Sequence, residues 1–168
     1  MDFKVNWDSK VWGATIFVTA ILMAAIALAL IFCEGWLRLC ITAVAAVTFI
    51  ACAVVAPVKI RITSTGIVLF KLVGKKRFLY ADMKDISLCD LNTSPNIRIF
   101  GSGGMMGYTG LFYNKRIGRF TAYVGSIFRT VLITMNNGRQ YVVSCLNPDK
   151  LVEISRANLR ATKNRLQK

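Results

Sequence analysis

The stretch Val11–Cys33, VWGATIFVTAILMAAIALALIFC, runs for 23 residues without a charge. As an α-helix it measures ~34 Å at ~1.5 Å per residue, enough to cross a hydrocarbon core of ~30 Å. Glu34-Gly35-Trp36-Leu37-Arg38 follows, and then a second uncharged run, Leu39–Val58. A charge at the middle of a span costs about 2.5–3.5 kcal/mol on an insertion scale, and neither run carries one. The pattern predicts a membrane helical hairpin, with spans at 11–33 and 39–58 and a short external connection at 34–38. Buried helices of a soluble core are the alternative, which two consecutive uncharged runs disfavour. A cleaved signal peptide is disfavoured as well. MDFKVNWDSK sets two Asp beside two Lys, the apolar run is too long, and a second span follows at once.

Trp12 and Trp36 sit near span ends, where indole rings settle at the interface. Small-residue steps at Ala20/Ala24, Ala25/Ala29 and Cys52/Ala56 let helices approach closely, within one hairpin or in a homo-oligomer. Hydrophobic residues make up 55% of the chain, above an ordinary soluble domain, and the excess lies in this first third. The charge lies elsewhere. Residues 1–10 and 34–38 are each net neutral, whereas residues 59–168 hold 19 Lys and Arg against 5 Asp and Glu, so the whole net +14 belongs there. Lys and Arg resist translocation, and Lys59 and Arg61 follow the second run immediately. Both termini are therefore expected in the cytoplasm, with 1–10 a cytoplasmic N-terminal segment and 59–168 a cytoplasmic domain.

Past Val58 the period changes to two. Val58-Lys59-Ile60-Arg61-Ile62-Thr63 alternates apolar and polar, the mark of a half-buried strand. Ser64-Thr65-Gly66 turns the chain into a second strand, Ile67–Leu72, and Gly74-Lys75 turns it again into Lys76–Tyr80. Ile86–Cys89, Ile97–Phe100, Phe120–Val124, Thr130–Met135 and Gln140–Cys145 continue the β pattern, the last two joined by Asn136-Asn137-Gly138-Arg139, a hairpin-turn sequence. A helix closes the chain. Asn147 suits its cap, Pro148 its first position and Asp149 its positive end. Leu151, Val152, Ile154, Ala157, Leu159 and Ala161 form its predicted apolar side, with Arg156, Arg160 and Lys163 opposite. The fold class that follows is a membrane α-helical hairpin plus an α+β domain. About seven strands form a strongly bent antiparallel sheet or small barrel, capped by the C-terminal helix, and residues 58–168 are expected to fold on their own.

The segment Arg98-Ile99-Phe100-Gly101-Ser102-Gly103-Gly104-Met105-Met106-Gly107-Tyr108-Thr109-Gly110-Leu111-Phe112, followed by Asn114, Gly118 and Tyr123, is similar to an R-x-F-G-S-G-G-x-x-G-Y-x-G-x-F-x-N pattern. With the two spans, the β unit and the capping helix, it resembles the small bacterial membrane-anchored proteins carrying a pleckstrin-homology-like (PH) domain. The resemblance covers roughly residues 58–160. It implies a PH-like barrel, a multi-pass protein of the bacterial inner membrane, and a binding module with no common established ligand. Eukaryotic PH domains often bind phosphoinositides through basic residues around the first hairpin loop. Here that loop, Ser64-Thr65-Gly66, is uncharged, and Lys75-Lys76-Arg77 stands at the next turn instead.

Enzyme motifs are missing from the sequence. Residues 101–118 hold six of the 12 glycines, yet no Lys-Ser or Lys-Thr pair follows them as a P-loop needs. Counting G-x-G-x-x-G from Gly101 ends on Met106, and G-x-S-x-G begins on Phe100. The chain has no His, and Cys33, Cys40, Cys52, Cys89 and Cys145 show no C-x-x-C spacing, so no metal, cofactor or disulfide framework is expected. Asp82, Asp85 and Asp90 have no second cluster to complete a metal or acid–base set. Two kinds of site remain. The basic residues Lys75, Lys76, Arg77, Arg156, Arg160 and Lys163 are candidates to face anionic lipid headgroups, in preference to nucleic acid, because the anchor holds them beside a bilayer. Gly101, Gly103, Gly104, Met105, Met106, Gly107, Tyr108 and Phe112 are candidates for a loop that docks a protein partner or lipid. The expected function is a non-enzymatic, membrane-anchored PH-like module binding a partner protein or the anionic surface. The alternative is a regulatory or assembly subunit acting through its transmembrane helices.

Overall fold

The computed structural model describes residues 1–166. Two long apolar helices come early, Ser9–Phe32 (α1) and Gly35–Val55 (α2). Asp8 caps α1, its Oδ1 accepting from Val11 N at 2.9 Å. Both helices are long and apolar enough to cross a membrane, and almost none of either is buried. Phe17, Ile31, Phe32, Trp36 and Leu39 all stand exposed, a surface that core helices of a soluble fold do not leave uncovered. The connection shrinks to Cys33 and Glu34, because Gly35 to Arg38 form the first turn of α2. α2 also stops at Val55, three residues before the predicted end, since Pro57 already begins a strand.

A short strand precedes the helices, Asp2–Lys4 (β1). After them come Pro57–Ile62 (β2), Gly66–Lys71 (β3) and Lys75–Leu79 (β4), and these four make one antiparallel sheet in the order β1-β2-β3-β4. Asp2 pairs with Arg61, Phe3 with Ile60 and Lys4 with Lys59. The helical hairpin is thus inserted into the loop of a β-hairpin.

The second sheet contains Met83–Cys89 (β5), Asn96–Gly104 (β6), Gly107–Asn114 (β7), Gly118–Val124 (β8), Thr130–Met135 (β9) and Gln140–Val143 (β10), in the order β5-β9-β10-β8-β7-β6. The described residues therefore form ten strands rather than about seven; eight correspond to the β stretches read from the sequence, and β1 and β7 are the two additions. Both sheets are open, so the barrel alternative is corrected. The meander β6–β7–β8 extends past β10 instead of returning to β5, and β10 joins β8 in parallel. Between β9 and β10 only Gly138 takes a positive φ, +78°, with Met135 N donating to Arg139 O at 2.9 Å.

The final helix, Pro148–Leu166 (α3), packs on β5 and β9. Its buried stripe is Leu151, Val152, Ser155 and Leu159. Ala157 and Ala161 face outward, because the stripe centres on positions four apart and Ala157 lies ~200° from Ser155 at ~100° per residue. The main core joins both sheets and α3 through Phe3, Ile60, Leu69, Phe78, Ile133 and Leu151. A second cluster, with Leu91, Phe112, Phe120 and Val142, lies under the meander. Val142 and Val143 face the two clusters in turn, as the period of a strand requires.

Candidate functional site

Three contacts press the domain against the ends of α1 and α2. In the β3–β4 turn, Leu72 N donates to Ala56 O at 2.9 Å and Val73 N to Val54 O at 3.2 Å. In the β6–β7 hairpin, Met106 N donates to Thr15 Oγ1 at 2.9 Å, while Thr15 Oγ1 donates to Val11 O at 2.7 Å. Before α1, Asp8 N donates to Gly125 O and Val5 N to Val58 O, both at 3.1 Å. Leu72 and Val73 are nonetheless more than half exposed, at 61% and 57%.

The outer face of the first sheet carries the charge. Register places Lys4, Lys59, Phe70 and Lys75 in one row across all four strands, and Asp2, Arg61, Val68 and Arg77 in the next. The first row is the one nearer the helices, since Lys59 follows Ala56 by three residues and Lys75 adjoins the turn bonded to α2. Lys59 Nζ lies 5.1 Å from the Phe70 ring centre. Lys4 sits directly opposite Lys59, a like-charge pair that destabilises a sheet unless an anion lies between. Asp2 supplies part of that balance. Its Oδ1 accepts from Arg61 Nε at 2.6 Å and its Oδ2 lies 3.5 Å from Lys59 Nζ. The Arg61 hydrogen bond first, then the charges of Arg61 and Lys59, hold the Asp2 carboxyl down at about 2 against a desolvation that raises it. No acid occupies the Lys4–Lys59–Phe70–Lys75 row.

The basic residues singled out by sequence divide between three places. Lys75 and Arg77 project outward with Lys59 and Arg61. Lys76 faces the other side of β4, its Nζ 5.4 Å from the Tyr141 ring centre. Arg156 and Lys163 turn inward to the unpaired edge of β5, where Arg156 Nε donates to Ile86 O at 2.8 Å and Lys163 Nζ to Lys84 O at 2.9 Å. Only Arg160 of that trio makes no hydrogen bond among the described residues. This end of α3 lies beside Tyr80, beyond the far end of β4, ~13 Å from Lys75 at ~3.3 Å per residue.

The glycine-rich residues are strand rather than loop. β6 and β7 pair from Asn96–Asn114 to Gly104–Gly107, leaving Met105 and Met106 as the turn. Gly101 and Gly110 lie opposite each other with φ of +116° and +125°, and a Cβ on either would overlap the facing strand's backbone. Met105 is buried, and Met106 takes a positive φ of +55°. Gly104 approaches Ala14 of α1, and Gly107 lies against Pro57. Tyr108 and Phe112 line a cavity of about 480 Å³ on one face, together with Gly103, Arg98 and Phe120. Gly101, Ser102 and Gly110 line a groove on the other face, against Ala51, Cys52 and Val55 of α2.

Sequence reasoning missed β1, the Thr15 bridge and the exposed Leu72-Val73 turn. Asp2-Phe3-Lys4-Val5 does alternate, and that was the available signal for β1. Among the described residues no three of His, Cys, Asp or Glu come together as metal ligands. A family model described as the bacterial PH domain matches residues 58–158. No curated protein and no solved structure matches the chain. Two apolar helices, two open sheets and a closing α3, with that match spanning most of the domain, make this chain a member of the bacterial PH-domain family.

Proposed function

We propose that this protein is a membrane-anchored binding module whose PH domain lies on the cytoplasmic face of a bacterial inner membrane and contacts anionic headgroups. The observation that carries this reading is the Lys4–Lys59–Phe70–Lys75 row beside the end of α2, with no acid in it. Each basic residue near an anionic surface adds about 1 kcal/mol. α3 meets the domain beyond the end of β4 remote from Lys75, ~13 Å along the strand and more than the ~8 Å reach of charge at physiological salt, so on this reading Lys163 and Arg160 take the smaller part. The β1–β2 ladder supports both ends of the helical hairpin lying on one side, and the basic excess of residues 59–168 supports that side being the cytoplasm.

The test is hydrogen exchange of the full chain in lipid nanodiscs. Anionic lipid slows exchange over residues 68–77 relative to neutral lipid, and salt reverses the effect. Lys59→Gln with Lys75→Gln abolishes it, whereas Arg160→Gln with Lys163→Gln leaves it intact. Equal exchange in neutral and anionic discs refutes the lipid reading. A protein partner is the second reading, favoured by the cavity around Arg98, Tyr108 and Phe112. Capture from solubilised membranes, repeated with the helical hairpin replaced by an unrelated one, separates partners of the domain from partners of the spans.

A further inference from the structure

The groove between α2 and the glycine face lies above the level at which the helices end. Thr15, bonded to the tip of the β6–β7 hairpin, is six residues into α1, ~9 Å along its axis. Ala51, which lines the groove, is four residues before the end of α2, ~6 Å along its axis. At 24 and 21 residues the helices measure ~36 and ~32 Å, so upright spans exceed a ~30 Å core by only ~1–3 Å at each end. Both residues then sit roughly 5 Å inside the hydrocarbon edge, and the hairpin packed against them shares that depth.

The composition of the hairpin suits that level. Phe100 is 78% exposed and Ile97 59%, on a sheet edge that in water invites aggregation. A bulge between Arg98 and Phe100 sends these two side chains to opposite faces, Arg98 into the cavity and Phe100 to the α2 side. The groove beside Phe100 has a volume of about 370 Å³, and its lining is almost wholly apolar. Its sheet side is the exposed backbone of Gly101 and Gly110, flanked by Ser102, Thr109 and Tyr123. Bare sheet backbone, small helix residues and a flanking phenyl ring make a slot for a hydrocarbon chain.

We propose that the tip of the β6–β7 hairpin dips into the headgroup–acyl boundary of the adjacent leaflet, where headgroups and water still reach the unpaired edge of β6, with a phospholipid acyl chain filling the groove between α2 and the backbone of Gly101 and Gly110. The proposal rests on α1 and α2 being spans, and the experiment separates the two. The full chain is reconstituted in vesicles of mixed zwitterionic and anionic phospholipid, with a benzophenone amino acid replacing Phe100, Tyr123, Leu28 or Asn137 in turn. Illumination forms lipid adducts at 28, within α1 and ~6 Å before its end, at 100 and at 123, and none at 137, in the β9–β10 turn. Ala51→Trp, which fills the groove, removes the adduct at 123 and leaves that at 100. Adducts at 28 without any at 100 overturn the proposal while the spans stand. Absence at both 28 and 100 overturns the span reading and the proposal with it. Cross-linking of 100 to a second copy of the chain overturns it in favour of an oligomer contact, and an undiminished adduct at 123 in the Trp variant overturns the groove.

Discussion

Removing the helical hairpin while keeping β1 is expected to yield a folded domain and removing β1 as well is not, which reverses the sequence-based expectation for residues 58–168 alone because Phe3 of β1 belongs to the core. Val5 N already donates to Val58 O, so joining Val5 to Val58 through Asn-Gly replaces residues 6–57 with a two-residue hairpin turn. The comparison is with residues 58–168 alone and with Phe3→Ala in the joined chain. Phe3 is 5% exposed and packs in the core that holds Ile60, Phe78 and Leu151. Truncating such a ring costs about 3–5 kcal/mol. Deleting the whole strand also loses Ile62 N to Met1 O, Leu146 N to Lys4 O and the rest of the ladder, each worth about 0.5–1.5 kcal/mol net. Domain stabilities run about 5–15 kcal/mol, so losing the strand consumes most of one. The assay is urea denaturation followed by circular dichroism, in a mild detergent that covers Leu72, Val73 and Phe100. A loss of about 4 kcal/mol at a slope of about 2 kcal/mol per M lowers the Phe3→Ala midpoint by about 2 M. The 58–168 fragment shows no cooperative transition. A fragment as stable as the joined chain would refute the place given to β1.

Acid weakens the β1–β2 edge. Asp2 is depressed to about 2 from 3.8, so its stabilisation is complete above the unfolded value and is lost as pH falls from about 4 toward 2. Asp2→Asn flattens that part of a melting-temperature profile against pH. Gly101→Ala or Gly110→Ala costs at least about 1–3 kcal/mol by denaturation, because a side chain there meets both an unfavourable φ and the facing backbone. Gly138→Ala, with open space around it, costs less. Burial pushes the Cys145 thiol up to about 11, so it alkylates slowly at pH 8 in the native protein and quickly in denaturant, as read by mass spectrometry. Arg156→Met costs about 1 kcal/mol by freeing the Ile86 carbonyl, whereas Arg160→Met costs nothing measurable.

The elements legible in the sequence were those with a long uninterrupted period. Two charge-free runs announced α1 and α2, strict alternation announced β2, and Asn147-Pro148-Asp149 announced α3. What stayed hidden depended on contacts between distant residues. The charge-free run begins only at Leu39, four residues after the start of α2, because a helix end tolerates a charged side chain such as Arg38. The glycines of β6 and β7 read as loop, since nothing local shows that two of them face each other across a ladder. The basic set Arg156, Arg160 and Lys163 read as one exposed face, yet its first and last members cap the edge of β5, 70 and 79 residues away. The Lys row was invisible for the same reason. Its members come from β1, β2 and β4, and only the register of the sheet aligns them.

β1 also changes how the helical hairpin is joined to the domain. The family match begins at Val58, as though the domain hung from the second helix. The fold has the domain gripping both helices, because the chain entering α1 is the partner strand of the chain leaving α2. Around that ladder lie the Leu72 and Val73 bonds to α2 and the Met106 bond to α1. A single linker lets a domain swivel. Two strands zipped together, with two further turns bonded to the helices, tie the tilt of the hairpin to the position of the Lys row and the glycine face. Thr15→Val tests that tie at one point. It removes the acceptor for Met106 N at nearly constant side-chain volume and leaves α1 apolar, so hydrogen exchange rises in the β6–β7 turn of the full chain in nanodiscs while β2 and β3 stay protected. Unchanged exchange at Met106 would mean that the domain sits free of α1, and the depth assigned to the hairpin would go with it.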